Sequence, residues 1–210
     1  MKLLILGATG GTGLQLLAQA LAQSHTVTAF VRNPAALAVH YPKPLPNLRI
    51  ITGDILKRDT IDAAISGQDA VISALGIKVL GVNTIMSDGT RNVVNSMQQC
   101  GVKRLIVETS IGVGDSKSQM TFLFGKIILP FVLKNMFADK EVQEQVIMQS
   151  GLDWTIVRPG MLTNGRKTGV YRSGLDKAIS GRISRADVAD FMLRQLNDVT
   201  YIHQTPALAT

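Results

Sequence analysis

Met1-Lys-Leu-Leu-Ile-Leu6, then Gly7-Ala-Thr-Gly-Gly-Thr-Gly13, an apolar-periodic stretch, and finally Thr26-Val-Thr-Ala-Phe-Val31-Arg32 decide the fold. An apolar strand (Lys2–Leu6) enters a glycine-punctuated turn, the turn opens a helix (Gly11–Gln23), and a second strand (Thr26–Val31) follows. That is the layout of a dinucleotide-binding βαβ unit. Its glycines allow a tight turn, close approach of backbone to a pyrophosphate, and close helix–strand packing, with the anion on the helix N-terminus. The spacing is G-x-x-G-x-x-G rather than G-x-G-x-x-G, so the flanking strand and helix supply the specificity that the glycines lack. Candidate cofactor contacts on this loop are Gly7, Thr9, Gly10, Gly11, Thr12 and Gly13.

The end of the second strand indicates which nucleotide. A pocket for NAD places Asp or Glu there for the ribose hydroxyls, whereas an Arg suits a 2′-phosphate. This chain has no acid at that point and offers Val31-Arg32-Asn33-Pro34. Arg32 can meet a phosphate with a planar, bidentate fork, the alternative being a solvated surface arginine. The expected cofactor is NADPH.

Strand and helix patterns alternate almost to the end, which points to a Rossmann-type, doubly wound parallel sheet in one α/β domain over residues 1–210. Strands are expected at Lys2–Leu6, Thr26–Val31, Leu48–Thr52, Ala70–Ala74, Arg104–Glu108 and Trp154–Arg158. Helices are expected at Gly11–Gln23, Ile61–Ile65, Thr84–Gln99, within Phe122–Gln149, and at Arg185–Leu196. Pro42, Pro44 and Pro46 mark an extended loop. A small substrate-side region is expected around 111–137 and 160–184.

Open parallel sheets bind ligands at their strand ends. Asp54 is a candidate acceptor for the adenine amino group, or a turn aspartate. Ala74, Leu75 and Gly76 would let backbone pass beside the ribose. Thr109 and Ser110 end the fifth strand, and Arg158, Pro159 and Gly160 end the sixth. Ser110 is the candidate for touching substrate, since its hydroxyl can donate to an atom gaining electron density; the alternative is a hydroxyl satisfying local backbone. Lys140 is a second catalytic candidate, reaching the nicotinamide side or pairing with solvent and Glu144. His25, His40 and His203 lie outside this cluster, which excludes a hydrolase triad.

The stretch Thr121–Phe137 is apolar but interrupted by Lys126, Pro130 and Lys134, short of the ~18 residues a membrane span requires. It reads as a buried helix start, a pocket wall, or a surface for a peripheral membrane or partner contact. Beyond it, Val142, Val146 and Ile147 form the apolar face of an amphipathic helix. Lys and Arg exceed Asp and Glu by 22 to 15, giving a net charge of +7, but they are scattered. Phosphate-rich cofactors and anionic substrates account for this better than nucleic acid does. The apolar share of 46% and a mean hydropathy of +0.20 describe a packed globular chain. Cys100 is the single cysteine, which rules out an internal disulfide and a cysteine metal cluster, and it is expected to be buried. With no metal site and no signal peptide expected, the chain reads as a cytoplasmic monomer.

Together these residues resemble the atypical short-chain dehydrogenase/reductase family of NmrA-like NAD(P)-binding proteins. The nearest resemblance is to the biliverdin reductase B, or NADPH-dependent flavin reductase, branch. It covers nearly the whole chain and is carried by Gly7–Gly13, Val31-Arg32, Gly53-Asp54, Gly67–Val71, Met86–Asn92, Thr109-Ser110, Ser150–Leu152 and Phe191–Arg194. The resemblance implies that the glycine loop with Thr12 holds the pyrophosphate, Arg32 the 2′-phosphate, and that Ser110 lies beside nicotinamide and substrate. It also implies hydride transfer to flavins such as FMN, as substrate rather than prosthetic group, or to biliverdin isomers. Two departures stand out. None of Tyr41, Tyr171 or Tyr201 has Lys four residues on, which disfavours alcohol–ketone chemistry. The active-site histidines of vertebrate flavin reductases are also absent, with Gly160 after the sixth strand and Lys140 in the preceding helix. A non-catalytic NADP(H) sensor or assembly factor is the alternative function.

Overall fold

The computed structural model describes residues 1–76, 84–119 and 134–210. Six parallel strands form the centre of the fold: β1 (Lys2–Leu6), β2 (Thr26–Val31), β3 (Leu48–Thr52), β4 (Ala70–Ser73), β5 (Arg104–Glu108) and β6 (Asp153–Pro159). Their spatial order, 3-2-1-4-5-6, continues through β10 (Ala207–Ala209), parallel to β6, and β8 (Arg172–Gly174), antiparallel to β10. A separate short pair joins β7 (Met161–Thr163) to β9 (Arg182–Ser184). The doubly wound parallel sheet is therefore present.

The sheet is covered on both faces, so β1 reads as an unbroken apolar run whose side chains alternate between two cores. Leu3 and Ile5 pack with Leu16 and Leu17 of α1 (Gly11–Ala22) and with Val188 and Met192 of α6 (Arg185–Arg194). Leu4 and Leu6 pack with Ile61 of α3 (Arg58–Ile65) and with Val94 and Met97 of α4 (Ile85–Cys100). The edge strand β3 is largely exposed. A short helix, α2 (Ala35–Ala38), follows β2 before the proline-bearing loop.

Two expectations are corrected. Cys100 is exposed: it ends the last turn of α4, three residues past the buried Met97, and that turn overhangs the core. Gly101 then stops the helix in the left-handed conformation, φ 71°. In α5 (Lys134–Met148) Ile147 and Val146 pack against the core as expected, but Val142 does not, and the rest of the buried face is polar. Val142 is 41% exposed, while Asp139, Gln143 and Glu144 are buried beside Phe137 and Ile147. Each of these polar groups has a partner that draws it inward. Asp139 accepts from the backbone N–H groups of Met86 (2.9 Å) and Ser87 (3.2 Å), capping the start of α4 from a neighbouring helix. Gln143 donates to Thr90 at 3.0 Å. Most of Thr121–Phe137, including Lys126 and Pro130, lies outside the described residues. No helix among the described residues is long and apolar enough to cross a membrane.

Candidate functional site

The strand order reverses between β1 and β4, and there the glycine loop meets the end of β4. Gly7 has φ 75°, and a Cβ on it would strike the Ala74 carbonyl. A Cβ on Gly13 would strike the Gly7 carbonyl, so only glycine lets α1 enter this close beneath the loop. The loop is closed by Gly10 N–H donating to Gly7 C=O at 2.9 Å. No side chain caps the N-terminus of α1 and its first turn carries no acid. These are the features of a cradle for a phosphate diester: tight glycines, uncapped N–H groups and a positive helix end. Thr9 lies on this loop and Gly11 begins the helix. Leu75 and Gly76 follow Ala74 with room around Gly76, before the chain leaves the described residues.

At the end of β2, Arg32 projects into solvent, and none of the described residues holds its guanidinium. Gly53, at the end of β3, lies close against Phe30: a Cβ there would strike the ring. Asp54 Oδ1 accepts from Leu56 N–H at 3.0 Å, making a local turn.

The opposite side is built from the ends of β5 and β6 against α5. Thr109 is buried and its hydroxyl donates to Glu144 at 2.7 Å. Lys140 Nζ donates to the Thr109 carbonyl at 2.9 Å. Four residues before Lys140 stands Met136, so this lysine has no phenol on the preceding turn. Ser110 is half-buried, and its hydroxyl donates to the neighbouring Ile111 carbonyl at 2.9 Å. Arg158 is turned inward. Its Nε (3.1 Å) and Nη2 (2.6 Å) grip Glu144 in a bidentate pair, and Nη1 reaches Asp115 at 2.6 Å. Pro159 is buried behind it and its carbonyl accepts from Ile111 N–H at 3.0 Å. The structure thus brings the glycine loop, Ala74, Thr109, Ser110 and Lys140 to one sheet edge, with Arg32 and Asp54 at the ends of β2 and β3. Arg158 instead serves the ion pair behind Thr109.

Two groups at this edge, Glu108 and Arg185, escaped the sequence reading. Glu108 ends β5, is 8% exposed, and accepts a hydrogen bond from Thr12 Oγ1 at 3.0 Å. Burial pushes its carboxyl up from the usual range, against the opposing pull of Lys140, Thr12 and Arg185. Burial likewise pushes the Lys140 ammonium down, while Glu108 and Glu144 pull it back. Arg185, the first residue of α6, lies across Gly11: a Cβ there would fall 2.6 Å from its Cδ. Its Nη1 donates to Asn164 at 2.7 Å. The signal available for Glu108 was a lone acid closing the apolar strand Leu-Ile-Val; its partners gave none, being distant in sequence.

His25 pairs with the chain's N-terminal amine at 3.3 Å, and His203 Nε2 lies 2.9 Å from the Leu152 carbonyl, both at the opposite sheet edge. A cavity of about 180 Å³ lies near the outer strands, lined by Asp115, Arg158, Lys177, Gln204 and Ala207. No glycine-loop residue borders it.

Comparison with known proteins agrees with this geometry. Residues 7–199 match the NAD(P)H-binding family. A chloroplastic protein of Arabidopsis thaliana is 31% identical over 207 residues, covering 93% of this chain and 71% of that protein. The solved structure of ChuY, an anaerobilin reductase from Escherichia coli O157:H7, has a TM-score of 0.83 at 26% identity. It covers 99% of this chain and 96% of ChuY. The photosystem II assembly factor Ycf39 of Synechocystis is 27% identical over 163 residues, 75% of this chain but only 44% of that protein. The chain belongs to the NAD(P)H-binding family, as a Rossmann domain of the oxidoreductase-type, atypical short-chain dehydrogenase/reductase kind.

Proposed function

We propose that this chain is an NADPH-dependent reductase whose acceptor is a flavin, FMN or riboflavin, or a biliverdin-type linear tetrapyrrole. One observation carries the reading. The uncapped N-terminus of α1 opens at the β1/β4 crevice between the exposed Arg32 and the polar edge of Ser110 and Lys140. Gly7, Thr9, Gly10, Gly11, Thr12 and Gly13 would hold the pyrophosphate, Arg32 the 2′-phosphate, Asp54 the adenine end, and Ala74, Leu75 and Gly76 the ribose. When bound, the coenzyme supplies a hydride.

The chain's own part is positioning and proton supply. Lys140, seated on the Thr109 carbonyl, holds a proton beside Ser110, and the Ser110 hydroxyl can turn from Ile111 to donate to a bound acceptor. Arg158 and Glu144 fix Thr109 from behind. The likeness to ChuY supports a tetrapyrrole or similarly flat aromatic acceptor. A reducing cytoplasmic compartment suits the exposed Cys100.

The likeness to Ycf39 favours a second reading, a non-catalytic NADP(H)-binding assembly factor. Mixing the protein with NADPH and excess FMN, and separately with a linear tetrapyrrole, separates the two. The reductase oxidises NADPH, read as loss of nicotinamide absorbance; tight binding with no oxidation by any flavin or bilin establishes the assembly-factor reading instead.

A further inference from the structure

We propose that Glu108 and Lys140 together store the proton consumed in the reduction, and that the pair takes it up as the coenzyme's pyrophosphate settles on the first turn of α1. The inference rests on the NADP(H) reading of the site, and it adds a residue and a linkage which that reading does not contain.

The geometry begins with Thr12. It lies in the first turn of α1, whose N–H groups have no side-chain cap, and its hydroxyl donates 3.0 Å to the buried Glu108 Oε1. A pyrophosphate on that turn would therefore bring negative charge to within one side chain of Glu108. A carboxyl that gains an anionic neighbour in a partly dry site binds its proton more tightly. Among the described residues, the charged groups facing Glu108 are Arg185 at the start of α6, across Gly11, and Lys140 on α5, and Lys140 in turn faces Glu144. Arg158 of β6 and, beyond it, Asp115 act through Glu144.

Glu144 is already committed. Three hydrogen bonds, from Thr109 Oγ1, Arg158 Nε and Arg158 Nη2, hold it to its partners. Among the described residues Glu108 has no such guanidinium clamp, and the hydrogen bond it accepts from Thr12 comes from a neutral hydroxyl. Lys140 lies between these two acids with Nζ on the Thr109 carbonyl. Because Glu108 and Lys140 interact, their protons belong to the pair rather than to either group. Burial already pushes Glu108 up and Lys140 down, which brings the two titrations closer together.

The bookkeeping closes. Solvent gives one proton to the pair as the coenzyme binds. In the reduction, the acceptor gains a hydride and one proton: an N–H bond of Lys140 breaks and a bond to hydrogen forms on the acceptor. The Glu108 O–H then breaks and its proton restores the ammonium, leaving Glu108 as the carboxylate until solvent returns a proton to the pair. Glu108 acts through Lys140 and Thr12, so it is a positioning residue.

Calorimetric titration of NADP⁺ into the full chain tests this without turnover. At pH 7.5–8.5, in two buffers of different ionisation enthalpy, the wild type should take up a substantial fraction of one proton per NADP⁺. Its Kd should weaken with rising pH, by up to about tenfold per unit. Glu108→Gln keeps an acceptor for Thr12 and should bind NADP⁺ with much less uptake and a flat pH profile. The wild-type infrared difference spectrum should gain a protonated-carboxyl band on binding, a readout that does not depend on the variant folding. Buffer-independent heats in the wild type, undiminished uptake in Glu108→Gln, or no new carboxyl band would overturn the proposal while leaving the coenzyme site standing. Failure of NADP⁺ to bind at all would overturn the site reading itself.

Discussion

Replacing Glu144 by Gln should cost this protein more stability than any other single change at the strand ends. The side chains of Glu144 and Arg158 are each 3% exposed, and the carboxylate accepts three hydrogen bonds, two of them from the guanidinium. Burial alone would lower the Arg158 pKa, yet Glu144 and Asp115 leave it above its ordinary value, so the cation cannot relieve itself by losing a proton. Glutamine preserves volume and one acceptor oxygen, but it points an N–H₂ at an N–H donor and removes the charge. Breaking one side of a buried pair costs about 3–5 kcal/mol. Asp115, with a side chain 71% exposed, compensates little. For a domain of this size, each kcal/mol moves Tm by roughly 2–4 °C, so a drop of about 6–20 °C is expected. Thermal and urea unfolding followed by circular dichroism measure it. A loss below about 1 kcal/mol would show that water or a rearranged neighbour already solvates Arg158, and the argument from burial would fail.

Arg32→Ala should weaken NADPH binding about tenfold to a hundredfold, the worth of a charge-assisted hydrogen bond to phosphate, and leave NADH within about threefold; equal losses would show that Arg32 does not read the phosphate. Ser110→Ala should lower turnover with flavin or bilin while coenzyme Kd stays unchanged, and an unaltered rate would remove Ser110 from the site. Asp187→Asn tests the base of α6. Burial would raise the Asp187 pKa, but the N–H groups of Gly169 and Thr168 and the hydroxyls of Ser184 and Thr168 hold it below its ordinary value. A carboxyl depressed on folding contributes stability above its unfolded pKa of about 3.9, lost as pH falls through the folded value. The variant should therefore be about 1–3 kcal/mol less stable at pH 7, with the gap narrowing as pH falls below the unfolded carboxyl value. A gap that stays constant with pH would contradict this.

The first half of the fold was legible because its signals are local. β1 and β2 are buried on both faces and read as apolar runs, and Gly7 to Gly13 announce the turn between strand and helix. The outer strands β7 to β10 have three residues each, too few for any period to show. In α5 the aliphatic stripe misled at Val142, because the face beyond Val146 and Ile147 turns to Thr109, Arg158 and the start of α4. The same distance effect hid the polar part of the site. Thr12 and Glu108 are 96 positions apart, and Thr109 and Glu144 are 35 apart. Only the sheet order brings them together. Arg158 stands at the expected strand end, yet nothing in Val-Arg-Pro-Gly says that its side chain turns inward to an ion pair.

The central claim is that the phosphorylated coenzyme is the one this crevice selects. Titrating the wild-type chain with NADPH and with NADH under one buffer and salt condition tests it most directly. The account predicts binding of NADPH at least about tenfold tighter, with the preference shrinking as salt screens the exposed Arg32 guanidinium. Equal affinity for the two coenzymes, or a preference for NADH, would contradict it.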